Sequence, residues 1–357
     1  RAARVRALQD GQPLRSSRLI CPAARRRQHV RSTERFFQTA HTIFANGFEV
    51  PGAVSLGNAP GALQSPGITQ SIIGSGTFSV AISYPAPAAT VPGLTTAVAG
   101  SFSGPTNTGI VINGVRAYVS GNQFLAPAVT VAAGGTSLTA TATKLTGETT
   151  TATVNATSGA TPPVSLTVGR AAGFAPLRAA FTYSIGGLPG NAAVQYVGLD
   201  YTADGTDDVV NPPLGANLAY VATQPGVYHA RLTVHDSNNA TYLADAYYVV
   251  RSAPELSGML CDVYGYMKQR LGQASPDIPG ALNAIHPNAR DEYQGMFTGG
   301  SSNLPSYVAN LGSVVAGTVS DNFVSYLVVR QNPDQTLSGY HIEFSQDAGG
   351  VWRISDM

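Results

Sequence analysis

Gly226-Val-Tyr-His-Ala-Arg-Leu-Thr-Val-His-Asp236 decides the fold class of this chain. Tyr228, Ala230, Leu232 and Val234 lie on one side of a period-two alternation; His229, Arg231, Thr233 and His235 lie on the other. Successive side chains of a strand point to opposite faces, so this is a half-buried antiparallel strand with one core face and one wet face. Gln224-Pro-Gly226 before it and Asp236-Ser-Asn-Asn239 after it are turn formers that bound the strand. The same grammar recurs upstream. Leu138, Ala140 and Ala142 face in, while Ser137, Thr139, Thr141 and Thr143 face out, where threonine suits a pleated surface and its hydroxyl meets water. Asn113-Gly114, Ser120-Gly121-Asn122, Gly134-Gly135 and Thr146-Gly147 punctuate these runs at hairpin intervals. The chain reads as β-sandwich modules in series.

At 357 residues it is long enough for two or three domains. Charged residues make up only 11%, against 39 Gly and 23 Pro, which favours all-β modules over helical bundles. Residues 1–35 hold ten of the twenty-one basic residues and two acids, Asp10 and Glu34. The rest, with eleven basic and eighteen acidic residues, carries about −7. Without aromatic interleaving before Phe36, the arm reads as a disordered leader, or as translated sequence upstream of the true start, and no nucleic-acid partner is expected. The two cysteines, Cys21 and Cys261, make no disulfide framework or metal cluster. No eighteen-residue apolar run exists, so no transmembrane helix is expected.

The organisation follows from composition and period. Residues 1–49 form the basic leader and 50–76 a Pro/Gly/Ser-rich linker. Phe102-Ser-Gly-Pro-Thr-Asn-Thr-Gly-Ile-Val-Ile-Asn-Gly-Val115, Phe124 and the run from Gly134 to Thr143 resemble the Ig-like glucodextranase B module, over about 77–157. That resemblance implies a non-catalytic module of a bacterial exported protein. Residues 164–251 resemble a PKD-type β-sandwich through Ala175 to Thr182, Asp200 to Asp208, Pro225 to Tyr228 and Leu232 to Asp236. Leu199-Asp-Tyr-Thr-Ala-Asp-Gly205 departs from that family's pattern by lacking its Trp.

From residue 255 the period changes. Leu256, Leu260, Val263, Tyr264, Met267 and Leu271 recur at helical spacing, predicting a helix over 255–272. Further helices are expected at 281–285 and 288–297, with Pro287 in a first-turn slot, and a short helical turn at 304–311. Strands are expected at 322–331, 339–345 and 351–355. This order, ending in Gly350-Val-Trp-Arg-Ile354, is similar to NTF2-like domains over about 255–357. The fold class is thus mainly β: two Ig-like antiparallel sandwiches in tandem, then an α+β domain of helices followed by antiparallel sheet.

Two constellations could carry chemistry. Asp200, Thr202, Asp204, Thr206 and Asp208, around Gly205, match the opening of a calcium loop and suit a weak Ca2+ site. Asn211 stands where such a loop ends on a bidentate Glu, and the plain alternative is an Asp-rich turn held by its own backbone. In the C-terminal region, an NTF2-like cone would make His341, Glu343 and Tyr266 candidates for an acid/base or ligand site. The plain alternative packs Tyr340, Ile342 and Phe344 on the helices and leaves His341 and Glu343 in solvent, with Phe323 and Leu327 helping to fill the cone. His229 and His235, about 20 Å apart along a strand, are expected to be solvated surface residues. No nucleophile elbow, zinc-protease, phosphate-loop or dinucleotide motif is present, and Trp352 is the only Trp. The expectation is a non-catalytic extracellular or cell-surface protein whose partner is a surface polysaccharide or another protein. The rival is small-molecule binding or hydrolysis in the C-terminal domain.

Overall fold

Leu138, Ala140 and Ala142 are fully buried in the computed structural model, which describes residues 72–74 and 76–357. Their strand belongs to the first group of strands, which alternate apolar and Thr/Ser positions. In order these are β1 (Ser79–Tyr84), β2 (Ala89–Pro92), β3 (Thr95–Ser103), β4 (Gly109–Ile112), β5 (Val115–Arg116), β6 (Tyr118–Ser120), β7 (Gln123–Thr130), β8 (Thr136–Thr143) and β9 (Thr149–Gly159). They pair into two sheets, β1-β3-β7-β6 and β2-β9-β8-β4-β5. Val98, Phe102, Ile110, Ile112, Phe124 and Leu138 share one core. On the outer side Thr139 and Thr153 meet hydroxyl to hydroxyl at 3.0 Å across β8 and β9. The β4–β5 hairpin turns on Asn113-Gly114, both at positive φ (47° and 87°), the geometry a two-residue primed turn demands.

The second group comprises β10 (Val164–Val168), β11 (Ala172–Phe174), β12 (Leu177–Ile185), β13 (Val194–Asp200), β14 (Val209–Val210), β15 (Leu218–Ala222), β16 (Gly226–Asp236) and β17 (Thr241–Arg251). Its sheets run β10-β12-β15 and β11-β17-β16-β13-β14. Ala230, Leu232 and Val234 of β16 are fully buried, and Tyr228 stacks on buried Tyr248 of β17 at 5.1 Å. Between residues 98 and 251 the sole helical element is a 3-10 turn, Pro189–Asn191.

The outer face of this sheet departs from the solvated expectation. Val249, Ala172, Ala99 and Leu125 form a small buried cluster between the two groups, with Tyr84, Tyr118 and Tyr247 packed on it. His229 is therefore not a free surface residue. Its Nε2 lies 2.7 Å from Asp245 Oδ1, its ring stacks on Tyr247 at 4.4 Å, and Tyr247 in turn contacts Tyr84 at 4.6 Å. Arg231 donates to the same carboxylate at 2.9 Å. The first group of strands covers what the alternation alone marks as wet. His235, further along, bonds Thr241 at 2.9 Å.

Helices then precede the last sheet. Ser252 caps α1 (Ala253–Leu271) by accepting the Glu255 N–H at 3.2 Å, Pro254 sits in its first turn, and Lys268 and Arg270 lie in its last. There follow α2 (Ile278–Leu282), α3 (Arg290–Gly299), which the 3-10 turn Pro287–Ala289 leads into, and α4 (Leu304–Ala309). The sheet is β18-β19-β20-β21: β18 (Ser313–Val319), β19 (Phe323–Gln331), β20 (Leu337–Gln346) and β21 (Trp352–Asp356). β18 is an addition to the three expected strands. Its register shifts between Val314 and Ala316, which breaks the period-two signal in Ser-Val-Val-Ala-Gly-Thr-Val.

Leu260, Val263, Tyr264, Met267, Val324, Tyr326, Val328, Ile342 and Phe344 fill the space between α1 and the sheet. The expected parity on β19 is inverted: Val324, Tyr326 and Val328 point inward, and Phe323 is 41% exposed. Cys261, half-buried on α1, is disulfide-bonded; the leader and nearly all of the linker lie outside the described residues. Alkylation under denaturing, non-reducing conditions should leave Cys261 unmodified, and reduction should expose it.

Candidate functional site

The residues singled out from sequence in the C-terminal region do not converge. His341 is exposed on the outer face of β20, its Nδ1 3.4 Å from Ser325 Oγ. Glu343 is half-buried on that same face, opposite Ser325 in the ladder. Tyr266 is 1% exposed on α1 and belongs to the core between the helices and the sheet, with the Arg270 guanidinium 5.0 Å from its ring centre. Lys268, brought down to about 8 by burial, donates to the carbonyls of Leu311 (3.0 Å) and Gly312 (3.3 Å), fastening the segment after α4 to α1.

The Asp-rich loop between β13 and β14 is a set of turns closed by its own carboxylates. Asp200 accepts the N–H groups of Thr202 (2.9 Å) and Gly205 (2.8 Å), Asp204 that of Thr206 (2.9 Å), and Asp208 that of Tyr201 (2.7 Å). Asn211 accepts the Val197 N–H at 2.8 Å, pinning the loop to β13. Among the described residues no group of three or more acids, His or Cys is arranged to hold a metal ion. Burial pushes the Asp200 carboxyl up, but the N–H groups of Gly205, Thr202, Ala203 and Asp204 outweigh it, so its pKa lies below the ordinary value. A depressed carboxylate stabilises the fold above its unfolded pKa of about 3.9, and that contribution is lost as pH falls through the folded value. The melting temperature should therefore drop steeply below about pH 4. Asp200→Asn should melt lower at pH 7 and show a shallower acid limb; an unchanged limb would refute the assignment. Excess calcium should leave the wild-type melting temperature where chelator does, whereas a rise would show a cation joining the loop.

A different place gathers functional groups: the junction of the three sheet systems. Asn107, in the β3–β4 turn, acts like a piece of β-ladder. Its carboxamide donates to the Trp352 carbonyl (2.9 Å) and accepts the Trp352 N–H (3.0 Å), all of it buried. Beside it, Gly109 lies flat against the Gly349–Val351 backbone. Leu145, at the β8–β9 turn, inserts into the core beneath α1, and Arg353 donates to its carbonyl at 2.9 Å. Ser120 donates to the Val250 carbonyl at 2.7 Å, and Gln123 accepts the Val227 N–H at 3.1 Å. At the centre, Arg251 bonds the Asp321 carbonyl (3.1 Å) and carboxylate, under the rings of Phe174 (4.4 Å) and Tyr118 (5.7 Å).

These contacts frame a cleft of about 580 Å³. One wall is the β3–β4 turn with β6 and its following turn, the other the first three turns of α1, and Arg251, Gln346 and Trp352 close it. Apolar surface comes from Phe102, Tyr118, Leu256 and Met259, and carboxylates from Glu255 and Asp262. Glu255 and Asp262 are seven residues apart on α1, hence on one helix face and about 10 Å apart along the axis. Burial pulls the Arg251 guanidinium below its usual pKa, and Asp321 opposes this. The Arg251 side chain is only 8% exposed, and its Nε–H has no partner.

No family model matches this chain, and no curated protein does either. Solved structures that it resembles include the fibronectin(III)-like modules of Clostridium thermocellum CbhA, at 14% identity, covering 49% of this chain and 95% of that one, with a TM-score of 0.20. Carbohydrate-binding modules of the β-sandwich superfamily match at 14% identity over 52% of this chain and 54% of theirs, TM-score 0.22. A tetra-tandem repeat in the extending region of a large adhesion protein matches at 15% over 49% of each, TM-score 0.18. The chain spans about half the length of the last two.

Most cleft residues carry no mark in the sequence that would assign them to one site. The two available signals are Asn107, inside Gly-Pro-Thr-Asn-Thr-Gly, and a lone Arg251 closing the apolar run Ala-Tyr-Tyr-Val-Val.

Proposed function

We propose that this chain is an exported bacterial binding protein of the extracellular space or cell surface. Two Ig-like sandwiches in tandem, glucodextranase B-like over 77–157 and PKD-like over 164–251, adjoin an NTF2-like α+β domain over 255–357. The partner is a surface polysaccharide or another protein. The observation that carries this reading is the 580 Å³ cleft, whose walls come from all three sheet systems while the three interiors are filled by apolar side chains. The modules are then parts of one recognition body, with a role beyond spacing. The Cys261 disulfide supports an oxidising compartment. Among the described residues no helix is long and apolar enough to cross a membrane.

The test is binding of the labelled full chain to an array of glycans and surface proteins, beside the variant Gly258→Phe. Gly258 lines the cleft in mid-helix, and a Cβ placed there meets nothing within 4 Å, so the new ring fills the cleft without straining α1. A binding signal lost in the variant supports the reading. Equal binding by both, at equal melting temperature, overturns the cleft as the site.

A further inference from the structure

We propose that the open face of the sheet formed by β14, β13, β16 and β17 is a second recognition site, distinct from the cleft, which holds neighbouring hydroxyls of a sugar ring. It rests on the binding role argued above only for the class of partner, a polysaccharide. One end of this face is closed, where His229 and Tyr247 meet Tyr84 of the first group of strands. At the other end the ladder sets two rows side by side. Val210, Gly198, Thr233 and Leu243 form one row, and Tyr196, His235 and Thr241 the next. Adjacent strands lie about 4.8 Å apart and alternate residues about 6.7 Å, so the rows cover roughly 14 by 7 Å, room for one or two sugar rings. Val210 and Leu243, at the two ends of the first row, are 54% and 47% exposed.

The centre of this patch is built. Asp207, in the turn between β13 and β14, folds back so that its carboxylate lies on Gly198, in the space a Cβ would need. The Tyr196 hydroxyl donates to that carboxylate and fixes it there, and the same hydrogen bond raises the pKa of the phenol. Tyr196 and His235 lean together at 5.4 Å, and the His235 ring is held by Thr241 at 2.9 Å. A carboxylate has about four acceptor sites, and one phenol fills one of them. Two adjacent sugar hydroxyls donate to the others as a pair, with the strength of charge-assisted bonds. Thr233 and His235 add a hydroxyl and a ring nitrogen on the same face, and Val210 and Leu243 supply apolar contact for the C–H groups of the ring. Other ligands fit worse. β14, at the sheet edge, has two residues, too few to pair with a peptide strand. A hard cation takes six or more oxygen ligands, and among the described residues no acids gather to supply them.

Gly198 allows a test that deletes no functional side chain. In Gly198→Ala the three atoms nearest the new methyl are the Asp207 Cγ and its two oxygens, the free end of a side chain that swings away. Titration calorimetry of the full chain with maltohexaose, cellohexaose, laminarihexaose and mannohexaose should find at least one that binds. Gly198→Ala and Asp207→Asn should each weaken it about ten-fold, at melting temperatures within about 3 °C of wild type. Leu243→Ala, on a different strand from the Asp207 turn, should weaken it about three-fold and keeps the test decisive should the turn variants fold poorly. Gly258→Phe should leave the affinity unchanged. Binding of no hexasaccharide, or wild-type affinity in Gly198→Ala and Asp207→Asn or in Leu243→Ala, overturns the proposal. A lower melting temperature with affinity retained would mark Asp207 as a brace of its own turn. If Gly258→Phe abolishes hexasaccharide binding that Gly198→Ala leaves intact, sugar is read in the cleft and the open face falls alone. If array binding depends on Gly258 while no hexasaccharide binds, the cleft reading stands without this one.

Discussion

Arg353→Ala should lower the melting temperature of the chain by about 10 °C, from a loss of roughly 3–5 kcal/mol. Arg353 sits on β21, 4% exposed at its side chain, and joins three parts of the molecule. Its Nε donates to Asp347 at 2.5 Å, and one terminal nitrogen donates to the Leu145 carbonyl at 2.9 Å and to that of Asn283. Asp347 is almost as buried, and its other oxygen accepts the N–H groups of Gly349 (2.9 Å) and Val351 (3.0 Å). Truncation leaves a buried carboxylate short of its counter-charge and two buried carbonyls short of a donor. Each of those losses is unfavourable. Lysine should not rescue it, because a single ammonium cannot serve divergent acceptors as the planar guanidinium does. Thermal unfolding of Arg353→Ala, Asp347→Asn and the double variant measures the pair directly. A fall of less than about 2 °C in Arg353→Ala would show that the junction is not held there.

What the sequence reveals and what it hides divide along contact range. Leu138, Ala140 and Ala142, like Ala230, Leu232 and Val234, declare their inward face because each strand's alternation is a local property. The α1 stripe from Leu256 to Leu271 is legible for the same reason. The junction is not local. Asn107 meets Trp352 across 245 residues, Leu145 meets Arg353 across 208, and Ser120 meets Val250 across 130. No periodicity encodes such pairs, so His229 looked solvated although Tyr247 and the first group of strands half-bury it. Phe323 shows a second limit: an aromatic side chain at the head of a strand suggests an inward face, yet the ladder places Val324 and Tyr326 there. The candidates His341, Glu343 and Tyr266 do not converge because His341 and Glu343 stand on the outer sheet face while Tyr266 is packed into the core on the other side. The cleft, by contrast, is built from Tyr118, Arg251, Glu255 and Trp352, which belong to four different elements or connections.

Gly109→Ala should separate the first group of strands from the C-terminal sheet, abolishing the cleft while leaving the individual cores folded. Gly109 opens β4 where that strand runs against the turn before β21. A methyl group there would come within 2.5 Å of the Val351 nitrogen, and closer still to the Gly349 carbonyl oxygen and the Gly350 carbonyl carbon. All three are backbone atoms, so no side chain can rotate away, and one backbone must retreat. Retreat costs more than the clash alone, because the same turn carries the Asn107 carboxamide against both polar groups of Trp352. Losing that register leaves the Trp352 N–H and carbonyl unpaired. Leu145 would be drawn from the core beneath α1, and the Tyr118 wall of the cleft would move away from Trp352. The expected results are a larger radius of gyration by solution scattering, far-ultraviolet dichroism close to wild type, and ligand binding reduced at least ten-fold. Gly114→Ala is the matched control: its methyl meets no atom within 4 Å, so it strains only its own hairpin at positive φ. Two variants with the same radius and the same affinity would show that the Gly109 contact does not position the cleft. A loss confined to Gly109→Ala would place recognition in the docked arrangement of the sheets, since neither glycine offers a side chain to any ligand.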